Sequence, residues 1–355
     1  MTKKSILTLL ALLTGGIMHA QTEVEQFVPG STLEGVCYYL PRTAFRVTIV
    51  AEKTVTRPGE FNRYADRYLR LKNVPTTEDT QWRIQSVKLE PYGIPDPSKA
   101  YSIKVKSKTV APLVGLSSDG ILLSINTDAE EEHLPDLPQG TAPNPLPNPR
   151  DFMSQEMLTA GSTAKMAEFC AQEIYDIRES KDALIRGEAD NTPKDGAQLQ
   201  LMLDCLDEQS KALESMFRGT TQTSTEVYSM TYAPTEESDK TILFRFSKKL
   251  GIVGADDLAG DPVYVSCQCL ERLPAPVDDP NVAKKKAKME QGVYYNVPVR
   301  AKIKVFTPQQ ELTTLEVPMG QFGSVEIISG TLFDKKNTTK VTFFQQTGGA
   351  KDVLQ

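Results

Sequence analysis

Histidine is nearly missing from this 355-residue chain, which has two, His19 and His133. Catalysis by a Ser-His-Asp or Cys-His set needs an imidazole beside the nucleophile. His133 stands instead in an acidic, proline-dense stretch and reads as a solvated side chain. The same shortage excludes clustered Cys/His zinc sites, because the "CQC" of Cys267 and Cys269 has no second pair beside it. Tryptophan is represented by Trp82 alone, which argues against a sugar-stacking surface. No glycine-rich loop follows a strand and opens a helix, so phosphate cradling is not indicated. Basic residues are outnumbered, 40 against 46 acidic, for a net charge of −6. An acidic chain is a poor nucleic-acid ligand, and the basic run Lys284 to Lys288 reads as a solvated loop. Long apolar runs are also missing. The best, "ILTLLALLTGGI", falls short of the roughly 18 residues that suggest a membrane span.

What is present begins with Lys3 and Lys4 ahead of that run, which ends at "MHA" before Gln21. This is the pattern of a secretory signal peptide over residues 1–20, cleaved after Ala20. The expected location is the periplasm or the outer membrane's periphery, with no transmembrane segment after cleavage, and loss of the two lysines takes the formal charge to −8. Five cysteines, Cys37, Cys170, Cys205, Cys267 and Cys269, are an odd number for an oxidising compartment, so at least one is left over.

The remaining chain divides by periodicity. Residues 21–128 alternate apolar and polar, as in half-buried antiparallel strands, with one short helix where Phe61, Tyr64, Ala65, Tyr68 and Leu69 recur at helical spacing. That helix is expected to lie on the sheet. Residues 129–150 are acidic and then proline-rich, and read as an extended surface linker. Residues 151–219 change to a 3.6 period. Met166, Cys170, Ile174, Ile177 and Leu184 form one stripe, and Leu199, Met202, Cys205, Leu206, Leu213, Met216 and Phe217 form another. Thr192 is the expected N-cap of the second helix, with Pro193 at its first position. Residues 220–355 return to alternation. The fold class is therefore α+β: mainly antiparallel, sandwich-like β units flanking a long antiparallel helical hairpin.

One phrase occurs twice. "GVCYYLPRTA" at Gly35–Ala44 and "GVYYNVPVRA" at Gly292–Ala301 share Gly, Val, Tyr, an aliphatic residue, Pro and Ala in register. Beyond the prolines the apolar phase differs by one residue, which a bulge would reconcile. The two phrases are expected at corresponding positions of two related β units.

The entrance "YYLPRTAFRVTI", the helical segment "EIYDIRESKDALIRGEADNTPKDGAQLQLMLDCLDEQSKAL" and the closing "VEIISGTLF" and "KVTFFQQTGG" resemble an uncharacterised domain-of-unknown-function family (family 4831) of exported Bacteroidota proteins. The resemblance covers most of the mature chain. It implies an envelope location and a shared fold, and it brings no catalytic residues.

No catalytic, cofactor-binding or metal residues are assigned. With the helical turn centred near residues 189 and 190, Cys170 and Cys205 are expected to face each other as a disulfide, and Cys37 could pair with Cys267 or Cys269. Asp204, Asp207 and Glu208, or Glu173 and Asp176, read as solvated faces pairing with Arg178, Lys181 and Lys211. Asp256, Asp257 and Asp261 could hold calcium, but their spacing does not match an EF-hand and a turn is the preferred reading. Two functions remain: a non-catalytic envelope protein binding or scaffolding a protein or glycan partner, and a carboxylate-dependent glycan hydrolase, which needs two carboxyls across a cleft. The missing catalytic constellation favours the first.

Overall fold

The computed structural model describes residues 23–26, 35–104, 113–191, 193–271, 292–329 and 339–354. The expected signal segment, Thr192 and the run Lys284 to Lys288 lie outside the described residues. Alternation builds two very long hairpins. β2 (Val36–Arg57) pairs antiparallel with β3 (Asp79–Lys104), and β10 (Gly292–Phe306) pairs with β11 (Glu311–Ser329). Adding β1 (Glu23–Gln26) and β6 (Thr220–Tyr232) gives a sheet ordered β1-β3-β2-β6. Adding β7 (Ser238–Ser247), β8 (Gly251–Val253) and β9 (Asp261–Cys269) gives a second, β11-β10-β9-β7-β8. A third sheet, β13-β12-β5-β4, joins β4 (Val114–Leu116) and β5 (Leu122–Ile125) to β12 (Lys340–Phe343) and β13 (Ala350–Leu354).

The first two sheets pack face to face. Phe45, Val47 and Ile49 of β2, with Val87 and Leu89 of β3, meet Val263, Val265 and Cys267 of β9 and Ala301, Ile303 and Val305 of β10. Each valine, leucine, isoleucine or phenylalanine among them contributes about 1.5–3 kcal/mol on full burial. Ahead of the prolines the same hairpins turn to the third sheet, where Tyr38, Leu40, Ile103 and Val293 pack with Leu122, Ile125, Val341 and Phe343. The separate β domains expected at 21–128 and 220–355 are therefore corrected. β6 completes the N-terminal sheet, β12 pairs with β5 and carries β13 on its other side, and both cores draw on both segments.

Both phrase strands are central in their sheets, and both break at their proline. In the first hairpin the register steps from Tyr39↔Ala100 to Pro41↔Pro95, two residues on β2 against five on β3. In the second it steps from Val297↔Ser324 to Val299↔Met319, again two against five. Pro41 stands at the far end of its step and Pro298 inside its own, one residue earlier. The one-residue phase difference read from the sequence is absorbed there, and it brings Phe45 and Val47 into correspondence with Ile303 and Val305.

The helices are α1 (Ala65–Leu69), α2 (Gln155–Leu158), α3 (Thr163–Arg186) and α4 (Gly196–Arg218). α3 starts on Ser162, whose side chain accepts from Lys165 N, and stops at Gly187 in the left-handed region. α4 is capped by Asp195, which accepts from Ala197 N. The cap thus falls three residues beyond Thr192, because the carboxylate adjoining the first helical residue takes the role. The Phe61–Leu69 segment forms a third core with Cys170, Ile174, Leu213, Met216 and Phe217. It packs on α3 and α4 and not on the sheet: Phe61 N donates to Met216 O, and the rings of Phe61 and Phe217 lie 5.3 Å apart.

Candidate functional site

The α3–α4 contacts fix the fate of the thiols. The Cys170 thiol faces Leu213 O at 3.9 Å, Gln209 reaches Glu173, and Lys181 pairs with Asp207. Cys205, two residues before Asp207, therefore sits near the level of Lys181, eleven residues along α3 from Cys170. At 1.5 Å per residue the offset is about 16 Å, far beyond disulfide reach. All five cysteines are free in the structure, Cys170 buried and Cys205 exposed. The expected Cys170–Cys205 link fails because both lie on apolar stripes but at different heights. Cys37 is exposed at the start of β2, beside the core under the third sheet, whereas Cys267 is buried in the sandwich and Cys269 is half-buried at the end of β9. The structure does not bring Cys37 to either. Burial pushes the Cys170 and Cys267 thiols up to about 12, and burial with Glu237 pushes Cys269 to about 11. None is primed as a thiolate nucleophile.

The acidic residues of α4 do line a groove. Asp204, Asp207, Glu208, Lys211, Ala212 and Ser215 form one wall, Leu146 and Pro147 the other, and Thr220 closes the end, enclosing about 420 Å³. The hydrogen bond from Lys181 holds the Asp207 carboxyl below its ordinary range. All three carboxylates stand on one wall, and the facing wall is apolar. Farther along the pair, Ile185 (66% exposed), Leu201 (63%) and Met202 (37%) are uncovered, although Leu199, Met202 and Cys205 continue the stripe that buries Leu213 and Met216 nearer the base.

The proline-rich segment is a strap. It has no regular secondary structure from Asp128 to Asn148, yet it is fastened repeatedly. Ser118 donates to Glu131, Glu132 N donates to Gln345, and Arg46 donates to Pro135 O at 2.6 Å. His133, Glu131 and Glu132 line a cavity of about 320 Å³ with Asp119, Tyr92 and Gln346. No serine or cysteine nucleophile is bonded to the imidazole among the described residues.

Sequence reading missed a buried polar junction. The loop between β12 and β13 threads between the two kinked hairpins. Asn296, fully buried, donates from Nδ2 to Pro41 O and to Thr347 O, both at 2.8 Å, and its backbone N donates to Gly348 O. Thr43 Oγ1 donates to Gln346 O, while the Gln321 amide both accepts from Thr43 N and donates to Thr43 O. Gly348 has φ 73, and a Cβ there would lie 2.7 Å from Pro41 Cδ. The "QQTGG" run was the available signal.

In the loop Gly254–Asp261, Arg245 donates to Ala255 O and Gly260 O, while Asp257 accepts from Ala259 N. The loop is a turn, and no cluster of metal-ligating side chains occurs among the described residues. No helix among them is long and apolar enough to cross a membrane.

Three antiparallel sheets carrying a long helix pair define an α+β protein built mainly of β-structure. The family model for the domain of unknown function DUF4831 matches residues 34–351, and the chain belongs to that family. No curated protein and no solved structure matches the chain.

Proposed function

We propose that the protein is an exported envelope component that binds a protein or glycan partner through its helix pair, without turnover of its own. The observation that carries this reading is the uncovered outer half of the pair, where Ile185, Leu201 and Met202 are exposed beside the groove at Asp204 and Glu208. An apolar stripe that outruns its own cover is a contact surface in search of a partner. The charged run at Lys3 and Lys4 with its apolar stretch supports export. Photo-crosslinkers placed at Leu201 and Ile185 in intact cells should capture an envelope protein or glycan that a crosslinker at Glu316, exposed on β11, does not. Equal capture at all three positions would remove the reading.

The groove also gives the hydrolase alternative its specific support, since three carboxylates line one cavity. A retaining or inverting mechanism needs its second carboxyl across the bond, and the facing wall offers Leu146 and Pro147. Glycan cleavage by the purified protein that is lost in both Asp204→Asn and Glu208→Gln would establish the alternative.

A further inference from the structure

The outer edge of β6 has an unusual cover. Thr225 pairs with Glu52 of β2 but sends its N–H outward to Thr141 O of the strap, at 3.0 Å. In an antiparallel ladder without a register shift the outward direction recurs at every second residue, so Thr221, Thr223, Val227, Ser229 and Thr231 also present their main-chain groups outward. Among the described residues, Thr225 alone of these makes a main-chain bond to the strap. The remaining fastenings use side chains: Thr141 N donates to Thr225 Oγ1, the two threonine hydroxyls meet at 2.8 Å, and Gln222 Nε2 donates to Asn144 O.

The strap runs antiparallel to β6, with Thr141 against Thr225 and Asn144 against Gln222. Its approach is close, since a Cβ on Gly140 would lie 2.3 Å from Thr225 O. It nevertheless cannot complete a ladder. Pro143 and Pro145 fall at Thr141's parity, opposite Thr223 and Thr221, the positions that would have to donate to β6, and proline has no N–H. β6 itself reads "TTQTSTEVYSMTY", thirteen residues with one charge and no proline. Edge strands are ordinarily protected by charge, proline or a bulge of their own. Here the protection is borrowed from a segment that covers the edge while leaving most of its donors and acceptors unmatched.

We infer that the β6 edge is a strand-acceptor site, and that the strap is an exchangeable occupant. The partner is an extended, proline-free segment of another protein, adding antiparallel in the direction the strap already takes. Recognition is by main-chain hydrogen bonding, with Thr223, Val227 and Ser229 supplying groups the strap leaves open. This inference is independent of the helix-pair reading, because it concerns a different surface.

The probe is a fluorescein-labelled peptide carrying the strap's residues 139–147 with Pro143→Thr, Pro145→Thr and Pro147→Thr, compared with the unaltered sequence. Anisotropy titration of the full mature chain should show at least tenfold tighter binding of the proline-free peptide. Amide exchange at Thr221, Thr223 and Val227, which the peptide spans in the strap's register, should slow at least tenfold in the complex. Val227→Pro should weaken binding at least tenfold, since it removes an outward N–H that β2 does not use, and Thr141→Ala should strengthen binding several-fold by loosening the strap. If Val227→Pro does not fold, Thr223→Pro and the amide-exchange pattern decide the matter. Equal affinity of the two peptides, or binding that leaves the β6 amides unprotected, would overturn the inference. Self-association of the chain through those amides without peptide would assign the edge to a second copy instead, and also overturn it.

Discussion

Replacing Asn296 by alanine tests whether the buried junction holds the two long hairpins and the closing loop together. The side chain is fully buried, and its amide nitrogen donates to two carbonyls from different parts of the chain, Pro41 O and Thr347 O. Removing the amide leaves both carbonyls without that partner. An unsatisfied buried acceptor costs about 1–3 kcal/mol, and water entering the vacated space moves the figure toward the lower end for each. The expected loss is therefore about 3 kcal/mol, a shift of roughly 150-fold in the unfolding equilibrium at about 1.4 kcal/mol per factor of ten. Guanidinium unfolding of Asn296→Ala, set against Gln309→Ala in the exposed connection between β10 and β11, measures it, and the control should stay within about 0.5 kcal/mol. Amide exchange at Asn296, whose N–H is bonded to Gly348 O, should accelerate in step. A loss below about 1 kcal/mol would refute the claim that this side chain is the clasp.

Gly348→Ala should destabilise by about 2 kcal/mol or more, as seen in the same unfolding assay, because φ is 73 and the new Cβ would press on Pro41. Thiol labelling of the folded chain should reach Cys37 and Cys205 quickly, and Cys170 and Cys267 only on unfolding, with no Cys170–Cys205 link in peptide maps of natively exported protein. The folded Asp207 carboxyl titrates below its unfolded value, so the Lys181 pair stabilises fully above the unfolded pKa of about 3.9 and its contribution is lost as pH falls through the lower folded value. NMR titration should show Asp207 returning to the ordinary range in Lys181→Ala.

The parts of this fold written in local periodicity were legible. Met166, Cys170 and Ile174 on one helix, and Leu213, Met216 and Phe217 on the other, named the faces that meet. The alternation through Phe45, Val47 and Ile49 named the sandwich core. What depended on distant pairing was not legible. Nothing local says that β12 will lie beside β5, or that the short Phe61–Leu69 segment will prefer a helix face to a sheet. The cysteine pairing failed on height, since a stripe gives the side of a helix but its register against a neighbour comes from packing. The strap's prolines announced an extended chain and left unstated which edge it would cover. Asp204, Asp207 and Glu208 were visible as a helix face, and only the strap's return past α4 turned that face into a groove.

That return couples the two surfaces. The segment that covers the β6 edge at Gly140 and Thr141 goes on to form the groove's apolar wall at Leu146 and Pro147. Leu146 is about half exposed, at 48%. Fully burying a leucine contributes about 1.5–3 kcal/mol, so its partial burial against α4 holds the strap with about 1 kcal/mol. Leu146→Ala should give up most of that, raising the population with the strap lifted roughly fivefold. The Thr225 amide, bonded to Thr141 O, reports the lifting, and its hydrogen exchange should quicken by the same factor while the amides of the sandwich strands β9 and β10 keep their wild-type rates. The proline-free peptide should bind the Leu146→Ala chain correspondingly more tightly, and a ligand that fills the groove and presses on Leu146 should weaken the peptide, since linkage between two sites is reciprocal. Unchanged Thr225 exchange in Leu146→Ala would mean that the edge is held from Thr141 alone, and that the groove and the edge act without reference to each other.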